Sequence, residues 1–366
     1  MSATARHLII PVLVSLLLLS GTSVFGGDSR SSQKYPVIAT VHKSSLISAR
    51  NYAVSERTDA IIVVSSTAKR RPAEPLKERI RRLKKVTAQS VVVMDGDSGH
   101  LLYARSPDRP RQPASTIKIL TGLLAMESLE DGAEVPVSRR AAGMPRSKIY
   151  LDQRKTYPAD DLINAVLLAS ANDASVALAE WVAGTERKFA NLMTSKAQKL
   201  GARNTLCRTA SGLTARGQYS TARDLAIIFG QAMQNKKFAA RVGQLKTKTQ
   251  EGTTLHNHNK ALWSISGAEG GKTGYTRAAQ QTYVGQFKRD DDTILVAIMG
   301  SNTMWNDIRR LVDYGFAKKR QQRLAEKDEK GASPRLVLES PADISETPQA
   351  HTDLQILVDN KKIANL

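Results

Sequence analysis

The chain has 366 residues, of which 41% are hydrophobic and 24% charged, and these values argue against disorder of the whole chain. At roughly 150 residues per domain, the length accommodates about two domains and excludes a miniature fold. The single cysteine, Cys207, excludes an intramolecular disulfide and a thiolate metal cluster, and six histidines leave little room for a histidine-built site. We therefore expect no metal and no cofactor. The net charge of +20 predicts an anionic partner or surface.

The first 27 residues have the pattern of a secretory signal. Arg6 and His7 precede an almost wholly apolar run at 8–19, and small residues follow as far as Gly27. This run of about 12 residues is shorter than the roughly 20 that a membrane-spanning helix needs. We expect cleaved export, with an uncleaved anchor as the alternative, and a mature chain that works outside the cytoplasm.

Residues 28–85 are predicted to form a basic linker rich in serine, lysine and arginine. Residues 28–88 carry 14 lysines and arginines against 5 acidic residues. An exported protein rarely meets nucleic acid, and the sequence shows no zinc-finger, helix-turn-helix or aromatic RNA-binding signature. We expect the linker either to contact an anionic cell-wall polymer or membrane surface, or to be a solvated, flexible segment.

From residue 86 onwards the sequence has the pattern of a folded domain. Two short apolar runs at 90–94 and 101–104 predict a β-hairpin, preceded at 74–85 by a short basic helix. Helical periodicity then predicts helices at 116–129, 158–169, 174–183, 188–200 and 222–233. The remaining elements are strands at 282–287 and 293–299, a helix at 304–316, and a charged, proline-containing tail at 317–366.

This order of elements predicts an α+β fold in one domain at 86–316. A hairpin at the start and strands at the end imply an antiparallel sheet built from both chain ends and flanked by helices. The helices between them are expected to form an all-helical insert.

The first candidate motif is Pro113-Ala-Ser-Thr-Ile-Lys118, at the start of the strongest predicted helix. The spacing i, i+3 places the Ser115 hydroxyl and the Lys118 amine on one helix face. A serine becomes a nucleophile when a base removes its proton, and a lysine serves as that base only when it is neutral. Burial beside another cation favours the neutral form. Alone, the pair is equally typical of a helix cap with a surface lysine.

The second candidate motif is Ser170-Ala-Asn172, directly after an apolar helix. A hydroxyl and a carboxamide two residues apart in a turn can both project into one cleft. There the serine can relay a proton, and the amide can hold a peptide group of a substrate. The alternative is an ordinary turn at the end of a helix.

The third candidate motif is Gly270-Gly-Lys272-Thr273-Gly274, leading into Tyr275. A strand that carries a cation and a hydroxyl suits a carboxylate-ended substrate, and Gly274 lets that substrate approach the backbone. The run is not a phosphate-binding loop, because the spacing from Gly267 is one residue too short and a strand, not a helix, follows.

In this order and spacing, the three motifs strongly resemble those of the D-alanyl-D-alanine carboxypeptidase family, the low-molecular-mass penicillin-binding proteins. Ser170 lies 55 residues after Ser115, and Lys272 lies 102 residues after Ser170. The likeness runs from about residue 86 to 316. Outside the motifs it includes Ser211-Gly-Leu213, Ser220-Thr-Ala-Arg-Asp-Leu225 and His258-Asn-Lys260. It implies that the predicted fold is of the β-lactamase/transpeptidase-like type.

The resemblance implies covalent catalysis. By that resemblance Ser115 forms the acyl-enzyme, Lys118 is its general base, and Ser170 relays the proton. The backbone N–H groups of Ser115 and Tyr275 would form the oxyanion hole.

The resemblance also implies the substrate and the inhibitors. Asn172 would hold the substrate, while Lys272 and Thr273, beside Gly274, would bind its terminal carboxylate. The expected substrates are peptidoglycan peptides that end in D-Ala-D-Ala, and β-lactam antibiotics are the expected covalent inhibitors. The expected location is the periplasm or the outer face of the bacterial cytoplasmic membrane. The tail after residue 316 is short for a β-rich domain with an amphipathic anchor, which favours D,D-endopeptidase activity on cross-links beside carboxypeptidase activity.

Two other functions stay open on the sequence. A class A β-lactamase shares the three motifs but needs a glutamate that activates the deacylating water, and no acidic residue occurs between Glu186 and Asp224. A non-catalytic cell-wall-binding protein would use the basic segment and leave the serine site idle, but no expected catalytic residue is missing.

Overall fold

The computed structural model describes residues 75–331, with side chains as far as Glu326. The predicted signal, most of the predicted linker and the tail beyond residue 331 lie outside the described residues. The helices are α1 Leu76–Leu83, α2 Lys118–Ser128, α3 Arg139–Ala142, α4 Ala159–Leu167, α5 Asn172–Ala183, α6 Glu186–Lys199, α7 Ala222–Met233, α8 Lys236–Val242, α9 Ala261–Ser264 and α10 Met304–Gly331. The strands are β1 Ser90–Asp95, β2 Leu101–Arg105, β3 Glu134–Pro136, β4 Thr156–Pro158, β5 Lys246–Lys248, β6 Thr254–His256, β7 Ala268–Thr276, β8 Gln280–Arg289 and β9 Asp292–Ser301.

Five strands form an antiparallel sheet in the order β2-β1-β9-β8-β7. The pairing of β1 with β9, with Val93 opposite Val296, joins the start of the domain to its end. Hairpins connect β7 to β8 and β8 to β9, which leaves β7 at one edge of the sheet. The prediction of an α+β fold with an antiparallel sheet built from both chain ends is confirmed.

The sheet separates two apolar clusters. Side chains alternate between the two faces of a strand, so that Val92 of β1 packs with the helical insert while Val91 and Val93 pack with α10. On the insert side, α2 is buried along most of its length, from Lys118 to Leu123. Burial of this helix fixes the position of its first residue, Lys118, which is one of the candidate residues.

The insert is not purely helical, which corrects one detail of the prediction. It contains two small two-stranded sheets, in which Val135 of β3 lies opposite Tyr157 of β4, and Thr247 of β5 lies opposite Leu255 of β6. Each of these strands has three residues. Such a strand is too short to show the alternation of polar and apolar residues by which strands are recognised in a sequence.

The folded domain extends past both of its predicted boundaries. The predicted short basic helix is confirmed as α1, but it belongs to the domain, because Leu83 packs in the same apolar cluster as Leu311 of α10. The buried carboxylate of Asp307 accepts hydrogen bonds from the backbone N–H groups of Thr87 and Ala88, at 3.0 and 2.9 Å.

At the other end of the domain, α10 continues from the predicted end at 316 to Gly331. Ion pairs hold this continuation, since Lys319 Nζ lies 2.9 Å from carboxylate oxygens of both Asp95 and Asp97. None of the described helices has the length and hydrophobicity needed to cross a bilayer.

Candidate active site

The three candidate motifs meet at one cleft of about 470 Å³. Ser115 lies on a 3-10 turn, Ala114–Ile117, that leads into α2. Ser170 lies in the turn between α4 and α5, and Asn172 begins α5. Strand β7 carries the third motif along the edge of the sheet. The structure therefore brings together residues that are separated by more than 150 positions in the chain.

Lys118 joins the first motif to the second. Its Nζ lies 2.9 Å from Ser115 Oγ, 2.7 Å from Asn172 Oδ1 and 2.5 Å from the backbone oxygen of Ser211. The Lys118 side chain is fully buried. The amine thus has three oxygen neighbours, and two of them can only accept a hydrogen bond.

The electrostatics favour a neutral Lys118. Burial lowers the pKa of Lys118 well below its usual value, and the positive charge of Lys272 lowers it further, against a smaller opposing effect of Asp173. A neutral amine has two hydrogens and one lone pair. The oxygens of Asn172 and Ser211 take the two hydrogens, so the lone pair faces the Ser115 hydroxyl. In this form Lys118 can accept the Ser115 proton.

Lys272 joins the third motif to the second. Its Nζ donates to Ser170 Oγ at 2.8 Å and to the backbone oxygen of Thr273 at 3.1 Å. Burial lowers the pKa of Lys272 to about 7. Ser170, which accepts this hydrogen bond, adopts a positive φ of 59° in the turn before α5. A lysine and two hydroxyl-bearing residues thus stand together where an anionic group of a ligand can be bound.

Asn172 uses both ends of its amide within the protein. Its oxygen accepts from Lys118, and its Nδ2 donates to the backbone oxygens of Pro145 and Arg146 at 2.9 and 3.0 Å. Asn172 therefore orients Lys118 and holds the 145–147 segment, which also lines the cleft. The role predicted for it in holding substrate stays a prediction.

Gly274 allows β7 to lie against the turn that carries Ser115. A Cβ atom at this position would lie 2.5 Å from Thr282 Oγ1 and 2.8 Å from the backbone nitrogen of Ser115. A side chain here would push the strand away from the nucleophile. The predicted oxyanion donors are the backbone nitrogens of Ser115 and Tyr275. The first lies on this turn and the second on β7, and the two elements meet at Gly274.

The segment 209–213 contributes an acceptor that no motif assigned to the site. Its Ser211 carbonyl binds Lys118, and Gly212 follows with a φ of +75°. A Cβ on Gly212 would lie 2.0 Å from the backbone oxygen of Ala114. The carboxylate of Glu186 pairs with Arg140 and accepts a hydrogen bond from the backbone N–H of Ala210, which fixes the position of this segment.

His258 lines the cleft as well, and its backbone N–H donates to the carbonyl of Leu168. Burial lowers the pKa of His258 to about 4, and the charge of Lys272 lowers it further, so the imidazole is neutral near pH 7. Across the part of the chain that the structure describes, no group of three His, Cys, Asp or Glu side chains is placed to hold a metal ion.

The chain is similar to known proteins over this same region. A family model described as D-alanyl-D-alanine carboxypeptidase matches residues 77–303. The relative D-alanyl-D-alanine carboxypeptidase DacB2 of Mycobacterium tuberculosis is 35% identical over 63% of this chain and 82% of its own length. DacF of Bacillus subtilis is 31% identical over 63% of this chain, which spans 62% of that relative.

Solved structures of related proteins are similar to this chain in fold. The D-alanyl-D-alanine carboxypeptidase of M. tuberculosis H37Rv has 34% sequence identity and a TM-score of 0.61, over 63% of this chain and 92% of that chain. Penicillin-binding protein D2 of Listeria monocytogenes in an ampicillin-bound form has 26% identity and a TM-score of 0.58, over 63% and 98%. The β-lactamase/transpeptidase-like type of the predicted fold is thereby confirmed.

Proposed function

Because the chain belongs to the D-alanyl-D-alanine carboxypeptidase family, we propose that it is a penicillin-sensitive serine D,D-peptidase acting on peptidoglycan stem peptides. The observation that carries the proposal is the distance of 2.9 Å between Ser115 Oγ and the Nζ of a fully buried Lys118. Neither a helix cap nor a surface lysine explains a buried amine whose other two partners are fixed acceptors.

Acylation follows from this geometry. Neutral Lys118 takes the hydroxyl proton of Ser115 while Ser115 Oγ forms a bond to the carbonyl carbon of the penultimate D-Ala. The C–N bond then breaks, and the terminal D-Ala leaves once its nitrogen has gained a proton through the Lys118 and Ser170 groups. The backbone N–H groups of Ser115 and Tyr275 are proposed to stabilise the oxyanion.

Substrate binding is assigned to β7. Lys272 supplies a positive charge for the terminal carboxylate, and the Thr273 hydroxyl adds a hydrogen bond. Two structures of the L. monocytogenes protein are in ampicillin-bound and cefotaxime-bound forms, which supports binding of β-lactams to the same site of this chain. A β-lactam carries a carboxylate and an acylating carbonyl, so it meets the same groups as the peptide.

Hydrolysis of the acyl-enzyme requires water, and the structure argues against a β-lactamase at this step. Of the described residues that line the cleft, none is Asp or Glu. Glu186 is bonded to Arg140 and to the backbone of Ala210, and Asp173 accepts from the backbone N–H groups of Ile149 and Leu151. Neither carboxylate faces the cleft, so rapid release of a penicilloyl group is not expected.

The test is to follow the intact mass of the full chain against time after mixing with benzylpenicillin. We expect a stable adduct of one drug molecule in the wild type and none in Ser115→Ala. Loss of the adduct within seconds, as penicillin is consumed, would instead show a β-lactamase. The absence of any adduct would overturn the proposal.

A second measurement decides which bond is hydrolysed. The enzyme is given a pentapeptide that ends in D-Ala-D-Ala and, separately, a cross-linked peptide dimer. Release of D-Ala from the first shows carboxypeptidase activity, and cleavage of the second shows endopeptidase activity. Both require Ser115 if the proposal holds.

The location outside the cytoplasm is part of the proposal and rests on the N-terminal 27 residues, which lie outside the described residues. Fractionation of producing bacteria tests it. We expect the protein in the periplasm or on the outer face of the cytoplasmic membrane, and recovery in the cytoplasm would contradict it.

A further inference from the structure

A second cavity, of about 320 Å³, lies between α1 and α10 and is separate from the catalytic cleft. Among the residues that the structure describes, the charged lining comprises five cations and one carboxylate: Arg79, Arg82, Lys85, Arg309, Arg310 and Asp313. On α10, the charged lining residues Arg309, Arg310 and Asp313 follow the spacing i, i+1 and i+4, so they share the helix face that lies toward α1.

The carboxylates near this cavity already have cationic partners. Asp313 lies 3.6 Å from Arg289, and Asp307 lies 3.6 Å from Arg310. Among the described residues, no direct hydrogen bond or ion pair of the Lys85 or Arg309 side chain is found, although the charge of Lys85 acts at longer range on Glu78 of α1. With the neighbouring arginines, these two side chains give the cavity a positive potential that attracts anions.

The arrangement of donors suits an oxyanion with several oxygens. Guanidinium groups present pairs of N–H donors that match phosphate oxygens, and a lysine adds a mobile point charge. Arg79 donates one N–H to the backbone oxygen of Asp313 at 2.8 Å, which ties α1 to α10 beside the cavity. The cations of both helices are therefore held around one space.

The same end of α10 also contributes to the catalytic cleft. Met304 and Trp305 line the cleft, whereas Arg309 lines the basic cavity one helical turn further along. Residues four apart lie on the same side of a helix, so Trp305 and Arg309 are neighbours on its surface. An anion bound in the cavity is thus close to the substrate without occupying its site.

We propose that the cavity between α1 and α10 is an anion site that binds a phosphate group. It is distinct from the proposed carboxylate site at Lys272, and it does not take part in hydrolysis. The phosphate belongs either to a phospholipid headgroup or to a soluble or polymer-borne phosphate. In either case the site holds the enzyme near an anionic structure while the adjacent cleft remains open.

The experiment uses the full chain and two charge-matched double variants. Lys85→Gln with Arg309→Gln removes two cations of the cavity, and Lys199→Gln with Arg203→Gln removes one lysine and one arginine from a distant exposed surface. Binding of inorganic phosphate is measured by calorimetry at low ionic strength. Co-sedimentation is measured with vesicles of phosphatidylcholine alone and with vesicles that also contain phosphatidylglycerol.

We expect at least one probe to bind and its affinity to fall about tenfold in the cavity variant only, since a hydrogen bond to a charged group contributes at least that factor. Phosphate binding without vesicle binding identifies a soluble or polymer-borne phosphate. Binding only of the vesicles that contain phosphatidylglycerol identifies the lipid headgroup. No binding, or equal loss in both variants, would overturn the proposal. Penicillin acylation is expected to be unchanged in both variants, which separates this result from the proposed function.

Discussion

The charge of Lys272 lowers the pKa of Lys118, and the two amines bind two residues of one motif, Ser170 for Lys272 and Asn172 for Lys118. Burial is the larger cause of the lowered pKa, and the second lysine adds to it. The residue proposed to bind the substrate carboxylate therefore also favours the neutral form of the residue proposed as the base. Binding and proton transfer are coupled through this pair.

Replacing Lys272 by Gln removes the charge that opposes protonation of Lys118. The pKa of Lys118 then rises, so the increase in acylation rate with pH is expected to have its midpoint at a higher pH than in the wild type. Loss of the carboxylate contact should also weaken peptide binding about tenfold or more. The measurement is the rate of penicillin acylation across pH, with Lys199→Gln as a control for loss of a positive charge. An unchanged midpoint would show that the two lysines are not coupled.

The lowered pKa of Lys272 predicts a second pH dependence. As the pH rises above about 7, free enzyme loses the Lys272 proton and with it the cation that attracts a carboxylate. The KM of a D-Ala-D-Ala peptide is therefore expected to rise over this range. The matching peptide amide, which lacks the carboxylate, should show no such rise. Equal pH dependence for both peptides would contradict the assignment of Lys272 to carboxylate binding.

Gly212 is expected to tolerate no side chain. Gly212→Ala places a Cβ 2.0 Å from the backbone oxygen of Ala114 and should cost about 3 kcal/mol or more of unfolding free energy, with loss of acylation. Gly132→Ala is the matched control, because Gly132 also has a positive φ, of +85°, but nothing lies within 4 Å of its Cβ. That variant should lose about 1 kcal/mol and remain active. Urea denaturation and penicillin acylation of both variants test this difference.

Glu186 is expected to act as a positioning residue for Lys118. Its carboxylate accepts a hydrogen bond from the N–H of Ala210, and the carbonyl of the next residue, Ser211, accepts from Lys118. Glu186→Ala should lower the acylation rate at saturating penicillin and cost about 1–3 kcal/mol, because it leaves a buried N–H without an acceptor.

Two further variants separate positioning from general destabilisation. Glu186→Gln keeps an acceptor oxygen and should restore most of the acylation rate. Glu127→Ala removes a half-exposed glutamate that pairs with Lys196, and should cost under about 1 kcal/mol with normal acylation. If Glu186→Ala acylates at the wild-type rate, the segment 209–213 does not need this carboxylate.

Local spacing explains which parts of the site the sequence predicts. Ser115 and Lys118 are three residues apart on one helical turn, so their contact follows from helix geometry alone. The Ser211 carbonyl is a backbone group, and nothing about its side chain marks it as a ligand of Lys118. Glu186 likewise acts through the backbone of Ala210, so its part in the site is visible only in three dimensions.

The types of contact in the structure explain why the sequence places the domain boundaries at 86 and 316. Apolar periodicity predicts α10 as far as Phe316, because the helix is anchored by apolar side chains up to that point. Beyond it, Lys319 is held by Asp95 at the end of β1 and by Asp97 in the turn that follows, and such ion pairs leave no periodic signal in the sequence. The basic composition of residues 28–85 similarly predicts a linker. The structure shows that α1, within this range, belongs to the folded domain through a few apolar contacts.

The pairing of β1 with β9 has a consequence for biosynthesis. Val93 meets Val296, so the first hairpin lacks its central partner until about 200 further residues have left the ribosome. Closure of so long a loop comes late in folding, because its entropy cost precedes the contacts that compensate for it. The sheet of the nascent chain therefore stays incomplete during most of synthesis. Over the same period Ser115 lacks its neighbours on β7. A domain built this way acquires its proposed nucleophilic site only when nearly all of its residues have been synthesised.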